Sequence, residues 1–177
     1  MKWFIKCLKQ YADFNGRARR KEYWWFILIY FIIALICIFG WMMPFFKMGY
    51  EAGISGGAIN IDEQEAALAM IKNPFLYIYI VFYMAMLIPS VAVTVRRLHD
   101  IGKSGYWAFF VFGGSILYFI SKMLQVTNLA VSLVLALVCM AIAIISLVWM
   151  FTNSQYGPNK YGPNPKGEGN DETPVAE

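Results

Sequence analysis

The chain has 177 residues, of which 59% are hydrophobic, 18% aromatic and only 15% charged, with a formal net charge of +4. That is far more apolar surface than a soluble domain of this length can hide, so the composition excludes an ordinary water-soluble fold and places the chain in a lipid bilayer. Three cysteines, odd in number and far apart, suggest neither a disulfide framework nor a zinc site, and no cofactor is expected.

The first segment, residues 1–22, is basic. Placed on a helix at ~100° per residue, Trp3, Phe4, Cys7, Leu8, Tyr11 and Phe14 share one arc of roughly 140°, with Lys2, Lys6, Lys9 and Asp13 opposite. Such a segment is expected to lie as an amphipathic helix in the cytoplasmic membrane interface.

Residues 23–43 carry no charge and are long enough to cross a hydrocarbon layer of ~30 Å. The run is too long for a signal peptide and has no small-residue cleavage pattern after it, so it is expected to remain in the protein. Residues 44–74 form an outer loop. Gly53, Ser55, Gly56 and Gly57 read as flexible, and Asn60 with Glu63 resembles a capping box ahead of a short helix ending at Lys72. Pro74 suits the first turn of the next helix.

Spans two, three and four are predicted at residues 75–95, 106–124 and 129–151, with Lys122 snorkelling to lengthen the short third one. None of the runs alternates with period two, so each is a helix rather than a barrel strand. The whole is predicted as an all-α integral membrane protein, a four-helix bundle occupying residues 23–151. The tail, residues 152–177, repeats YGPNK and YGPNP, whose Gly-Pro-Asn steps stop helices, and past Lys166 its composition reads as disordered.

Twelve of the fifteen Lys and Arg residues fall before span one, between spans two and three, or in the tail. Only four crossings with both ends inside put all twelve on one side, as the positive-inside rule requires. The stretch RRLHDIGKSGYW (residues 96–107) is then a cytoplasmic hairpin, turned by Gly102 and Gly105.

Three stretches resemble the signatures of the DUF805 family of small bacterial inner-membrane proteins: FNGRARRKEYWWF (14–26), RRLHDIGKSGYW (96–107) and GPNKYGPNP (157–165). They occur in the family's order and span most of the chain. The resemblance implies a compact four-helix domain in the bacterial cytoplasmic membrane and no established activity.

All three stretches lie on the same side by the charge count, so a bundle is expected to gather them into one polar cap. Its candidate residues, for an anionic lipid headgroup or a protein partner, are Arg17, Arg19, Arg20, Glu22, Arg96, Arg97, His99, Asp100 and Lys103. Helical spacing lets Arg96 meet Asp100 at i,i+4 or His99 at i,i+3. Glu22, the one acid at the foot of span one, is expected near Arg96 or Arg97, because unpaired burial would be costly.

Three functions stand open. One is a non-enzymatic membrane protein whose cap is structural or binds an anion; a second is a small transporter or channel-like component. The third is a lipid-modifying enzyme using His99 as acid or base, with Asp100 or Glu22 orienting it. No catalytic set or metal site is assigned, because a lone histidine lacks a nucleophile or ligand partners. No nucleic-acid partner is expected. Coupled transport fits poorly with spans whose apolar stretches contain no Asp, Glu, Lys, Arg or His, Lys122 being placed at the headgroups.

Overall fold

The computed structural model describes residues 2–54, 63–123 and 129–171, which form α1 (Lys2–Lys9), α2 (Arg20–Ile54), α3 (Glu63–Lys72), α4 (Pro74–Asp100), α5 (Trp107–Met123) and α6 (Leu129–Phe151). No strand occurs among the described residues. The helices α2, α4 and α6 are long and apolar enough to cross a bilayer. At 17 residues α5 reaches about 25 Å, short of a ~30 Å hydrocarbon layer. Large apolar side chains point outward along all three long helices, with Phe39 63%, Val81 69% and Val134 59% exposed. In water such a surface would aggregate, so lipid is its solvent.

The chain divides into two compact units, Ile27–Ile88 and Met1–Phe26 with Pro89–Glu177. In the first, α2 continues past the expected end of span one at residue 43, through Pro44 to Ile54, so the first part of the expected outer loop is helical. A proline inside a helix frees the carbonyl four residues before it, here that of Gly40. Asn73 supplies the missing donor: its Nδ2 reaches Gly40 O at 2.9 Å and Trp41 O at 3.2 Å. The Trp41 indole then donates to Met70 O at 3.1 Å, which fastens the end of α3 to α2. Asn73 also caps α4, its Oδ1 accepting from Phe75 N at 3.0 Å, and α4 begins at Pro74 as expected. A β-carbon at Gly40 would come within 2.6 Å of the Phe75 ring, so only glycine permits this approach. The proposed cap at Asn60 and the glycines 56 and 57 lie outside the described residues, as do residues 124–128.

In the second unit α5 and α6 pack antiparallel. Trp107 and Phe110 meet Trp149, each with ring centroids 5.3 Å from it. Further along, Gly114 O accepts from Cys139 Sγ at 3.5 Å. The N-terminal helix is shorter than expected: α1 ends at Lys9, so Tyr11 and Phe14 lie in the following turns and are exposed. Phe4 stacks on Phe26 with centroids 5.6 Å apart, and Cys7 is fully buried.

The end of α4 closes with a left-handed glycine. Gly102 has φ +77°, its N–H bonds His99 O at 3.1 Å, and Lys103 N–H reaches back to Leu98 O at 2.9 Å. Gly105 is needed for space: a β-carbon there would lie 2.9 Å from Val95 Cγ1 and 3.2 Å from His99 Nε2. Residues 167–171 fold back in hydrogen-bonded turns, although the composition past Lys166 reads as disordered; residues 172–177 lie outside the described residues. Gly157 N bonds Glu168 O at 3.1 Å, and Asn164 and Asn170 exchange bonds of 2.7 and 3.0 Å. Asparagine side chains thus stand in for the regular backbone pairing that glycine and proline deny.

Candidate functional site

The most deeply buried side chains of the protein include charged ones. Ala92 to Asp100 of α4 are all buried, and Arg96, Arg97, Glu22 and Asp100 are each at most 1% exposed. Charge in such a place persists only when paired and hydrogen-bonded.

Two carboxylates organise the cluster. Glu22, in the first turn of α2, accepts from Lys6 Nζ at 2.6 Å and Arg96 Nη1 at 3.2 Å. Asp100, the last residue of α4, accepts from Arg17 Nε at 3.1 Å, Ser154 Oγ at 2.6 Å and Arg97 Nη1. The expected Glu22–Arg96 proximity is present. The expected i,i+4 pairing of Arg96 with Asp100 is not: Arg96 serves Glu22, and Asp100 takes Arg97 at i,i+3 together with Arg17. Each acid thereby gains two cations. Arg96 does not hold His99 either, because the His99 ring turns to Gly16 and Tyr161.

The arginines also complete the backbone. Arg97 donates to Met150 O at 3.4 Å and to Thr152 O, while Arg20 donates to Phe151 O at 2.9 Å. These carbonyls end α6, where partial negative charge collects and intrahelical donors run out. Arg17 donates to Gln155 O at 2.6 Å and Gly157 O at 2.7 Å, which fixes the start of the tail. His99 Nδ1 lies 3.2 Å from Gly16 O, so that nitrogen carries a proton, and its ring stacks on Tyr161 at 3.7 Å. Asn159 Nδ2 donates to His99 O at 3.0 Å.

Three expected residues sit nearer the surface. The Arg19 guanidinium lies 3.8 Å from the Trp3 ring centre, and Lys103 Nζ is 4.4 Å from that of Trp149 and 5.5 Å from that of Trp107. Arg20 is half-buried at the end of α6. Reasoning from sequence missed Lys6, Gln10, Ser154, Asn159 and Tyr161. The repeated YGPN pentad was a signal for the last two, since a repeat of tyrosine and asparagine offers a ring and an amide at fixed spacing.

Burial pushes the Cys7 thiol up to about 11, helped by the neighbouring Glu22 charge, so it is a neutral packing group at physiological pH. Among the described residues no three His, Cys, Asp or Glu side chains converge as a metal site.

Long apolar helices exposed to their surroundings, ending in a sealed and charge-paired polar cluster, define a multi-pass α-helical membrane protein. Residues 11–163 match the family described as "Protein of unknown function (DUF805)", and the chain belongs to that family. It is similar to "Inner membrane protein YhaI" of Escherichia coli (strain K12), 29% identical over 166 residues, 94% of this chain and 97% of that one. It is also similar to "Inner membrane protein YhaH" of the same organism, 35% identical over 113 residues, 61% of this chain and 70% of that one. No solved structure matches the chain. These relatives support a multi-pass protein of the inner membrane.

Proposed function

We propose that this is a non-enzymatic inner-membrane protein that crosses the bilayer four times, keeps both termini in the cytoplasm, and presents a basic cap to anionic lipid headgroups. The observation that carries the reading is a division among the cations. Arg17, Arg96 and Arg97 are sealed inside and engaged with carboxylates and carbonyls. Arg19 and Lys103 lie against indole rings nearer the surface, the pairing of cation and tryptophan that suits the headgroup level. Twelve of the fifteen basic residues fall on the side so assigned. In this reading α1 lies in the interface, and α5 crosses with local thinning of the bilayer.

Native mass spectrometry of the purified protein tests it. Anionic phospholipid should be retained in preference to zwitterionic lipid, and Lys103→Gln should weaken retention about fivefold, at roughly 1 kcal/mol per surface cation. Equal retention of both lipid classes, or a stoichiometric acidic protein in place of lipid, overturns the headgroup reading.

A further inference from the structure

The two halves of the charged cluster are not equally satisfied. Around Asp100 the guanidinium groups of Arg17 and Arg97 find carbonyl oxygens of α6 and the tail as well as the carboxylate. Around Glu22 acceptors run short. Arg96 uses only Nη1, toward Glu22 and Gln10, and its Nε and Nη2 are buried with no partner among the described residues. The Nε of Arg19 is likewise buried without a partner. Buried donors normally find an acceptor, and a charged donor left without one is costly.

Beside this half, three cations gather on one ring. Lys2 Nζ, Lys6 Nζ and the Arg19 guanidinium lie 5.4, 5.8 and 3.8 Å from the centre of the Trp3 indole. Among the described residues only Lys6 of the three has a carboxylate, and it shares that carboxylate with Arg96. The helix α1 carries no acidic residue. Like charges held this close repel, so an anion brought among them is bound by all three. The apolar side of α1, through Phe4 on Phe26 and the buried Cys7, fixes it to the foot of α2, so the ring and its cations are held in place rather than free to disperse.

We propose that Lys2, Lys6 and Arg19, gathered on Trp3, form a seat for the phosphate of an anionic phospholipid. A phosphate supplies several strong acceptor oxygens, which suits a fork from arginine and point charges from two lysines. Tryptophan is the residue type favoured where acyl chain gives way to headgroup, which suits an indole at such a seat. This rests on the cap facing the cytoplasmic leaflet. It adds a place, α1 and the residue before α2, that the general basicity of the cap does not specify.

The test uses the full chain in nanodiscs with and without phosphatidylglycerol, following Trp fluorescence and retained lipid. Lys2→Gln with Arg19→Gln should lower retention of phosphatidylglycerol about thirtyfold, and the effect should shrink as salt is added. Arg19→Lys, which keeps the charge, should restore most of it. Should the double variant fold poorly by circular dichroism, Lys2→Glu serves alone, because Lys2 is exposed. If the unaltered protein prefers anionic lipid and these variants retain it undiminished, the seat is wrong while the cap reading stands. If the unaltered protein shows no preference, the cap reading itself fails. A matching experiment in zwitterionic nanodiscs with inorganic phosphate separates the sources: a variant-dependent response there and not with phosphatidylglycerol overturns the lipid assignment.

Discussion

Arg96 and Glu22, separated by 74 residues of chain, meet at 3.2 Å with their side chains at most 2% exposed. The pair ties the foot of α2 to the C-terminal part of α4. Neither charge has solvent to fall back on, so the pair is costly to break and only modestly favourable to keep.

Removing one partner should therefore destabilise far more than removing both. Glu22→Gln is expected to cost about 3–5 kcal/mol, because it strands a buried guanidinium. Replacing both, with Arg96→Met added, should recover a good part of that loss. Unfolding in mixed detergent micelles measures each variant; additive losses would mean that the two groups do not act as a pair.

Arg17 holds the tail, and its removal should release it. With Arg17→Met the Gly157 carbonyl loses its donor, the Gln155 carbonyl keeps only Asn164 Nδ2 at 3.2 Å, and Asp100 loses one of its cations. Limited proteolysis after solubilisation should cut residues 155–171 well before the helices, at least tenfold faster than in the unaltered protein. An unchanged cutting rate would show that Asn159, Asn164 and the Tyr161 stack suffice.

Much of this was legible in the sequence because lipid imposes a simple rule on backbone and composition alike. The bounds of α6 coincide with the apolar run 129–151, and α4 begins at Pro74 where a first-turn proline belongs. The necessity of a partner for Glu22 was legible too, since an acid at the foot of a span cannot go unpaired. What the sequence hid was the distant partner. The continuation of α2 through Pro44 depends on Asn73, which lies 33 residues beyond Gly40. Likewise Asp100 takes Arg17, 83 residues away, which spacing along α4 does not reveal. The order of the tail rests on asparagine amides whose composition reads as loop.

The Cys7 thiol gives a pH signature. Its ionisation is raised from 9.0 to about 11 in the folded protein, first by burial and then by Glu22. The folded state then binds the proton more tightly than the unfolded one, so this contribution to stability is complete below pH 9 and is lost as pH rises toward 11. Stability measured over that window should fall less steeply in Cys7→Ala. In the native protein at pH 8 Cys7 should resist alkylation until denaturant is added; rapid labelling of folded protein would refute its burial.

The proposed topology is testable on intact cells. A cysteine introduced in place of Glu51, near the exposed end of α2, should react with an impermeant maleimide, whereas one in place of Ser104, beside the charged cluster, should react only after the membrane is opened. Both expectations follow from the distribution of lysine and arginine. The reverse pattern would put the cap outside the cell and remove the inner-leaflet reading with it.

His99 separates a structural cap from an enzyme. Its Nδ1 proton is engaged with the Gly16 carbonyl and its ring lies flat on Tyr161, so it braces the turn before α2 against the tail. Glutamine in its place keeps a donor for Gly16 and loses the stack, at a cost of about 1 kcal/mol. His99→Gln should therefore fold, melt slightly earlier, expose the tail somewhat to protease, and keep its anionic lipid and its cellular phenotype. Proton transfer near neutral pH is what the substitution abolishes. A His99→Gln protein with normal stability and lipid retention but the phenotype of a deletion would overturn the non-enzymatic reading, because bracing and headgroup contact would both survive while the lost function required an ionisable imidazole.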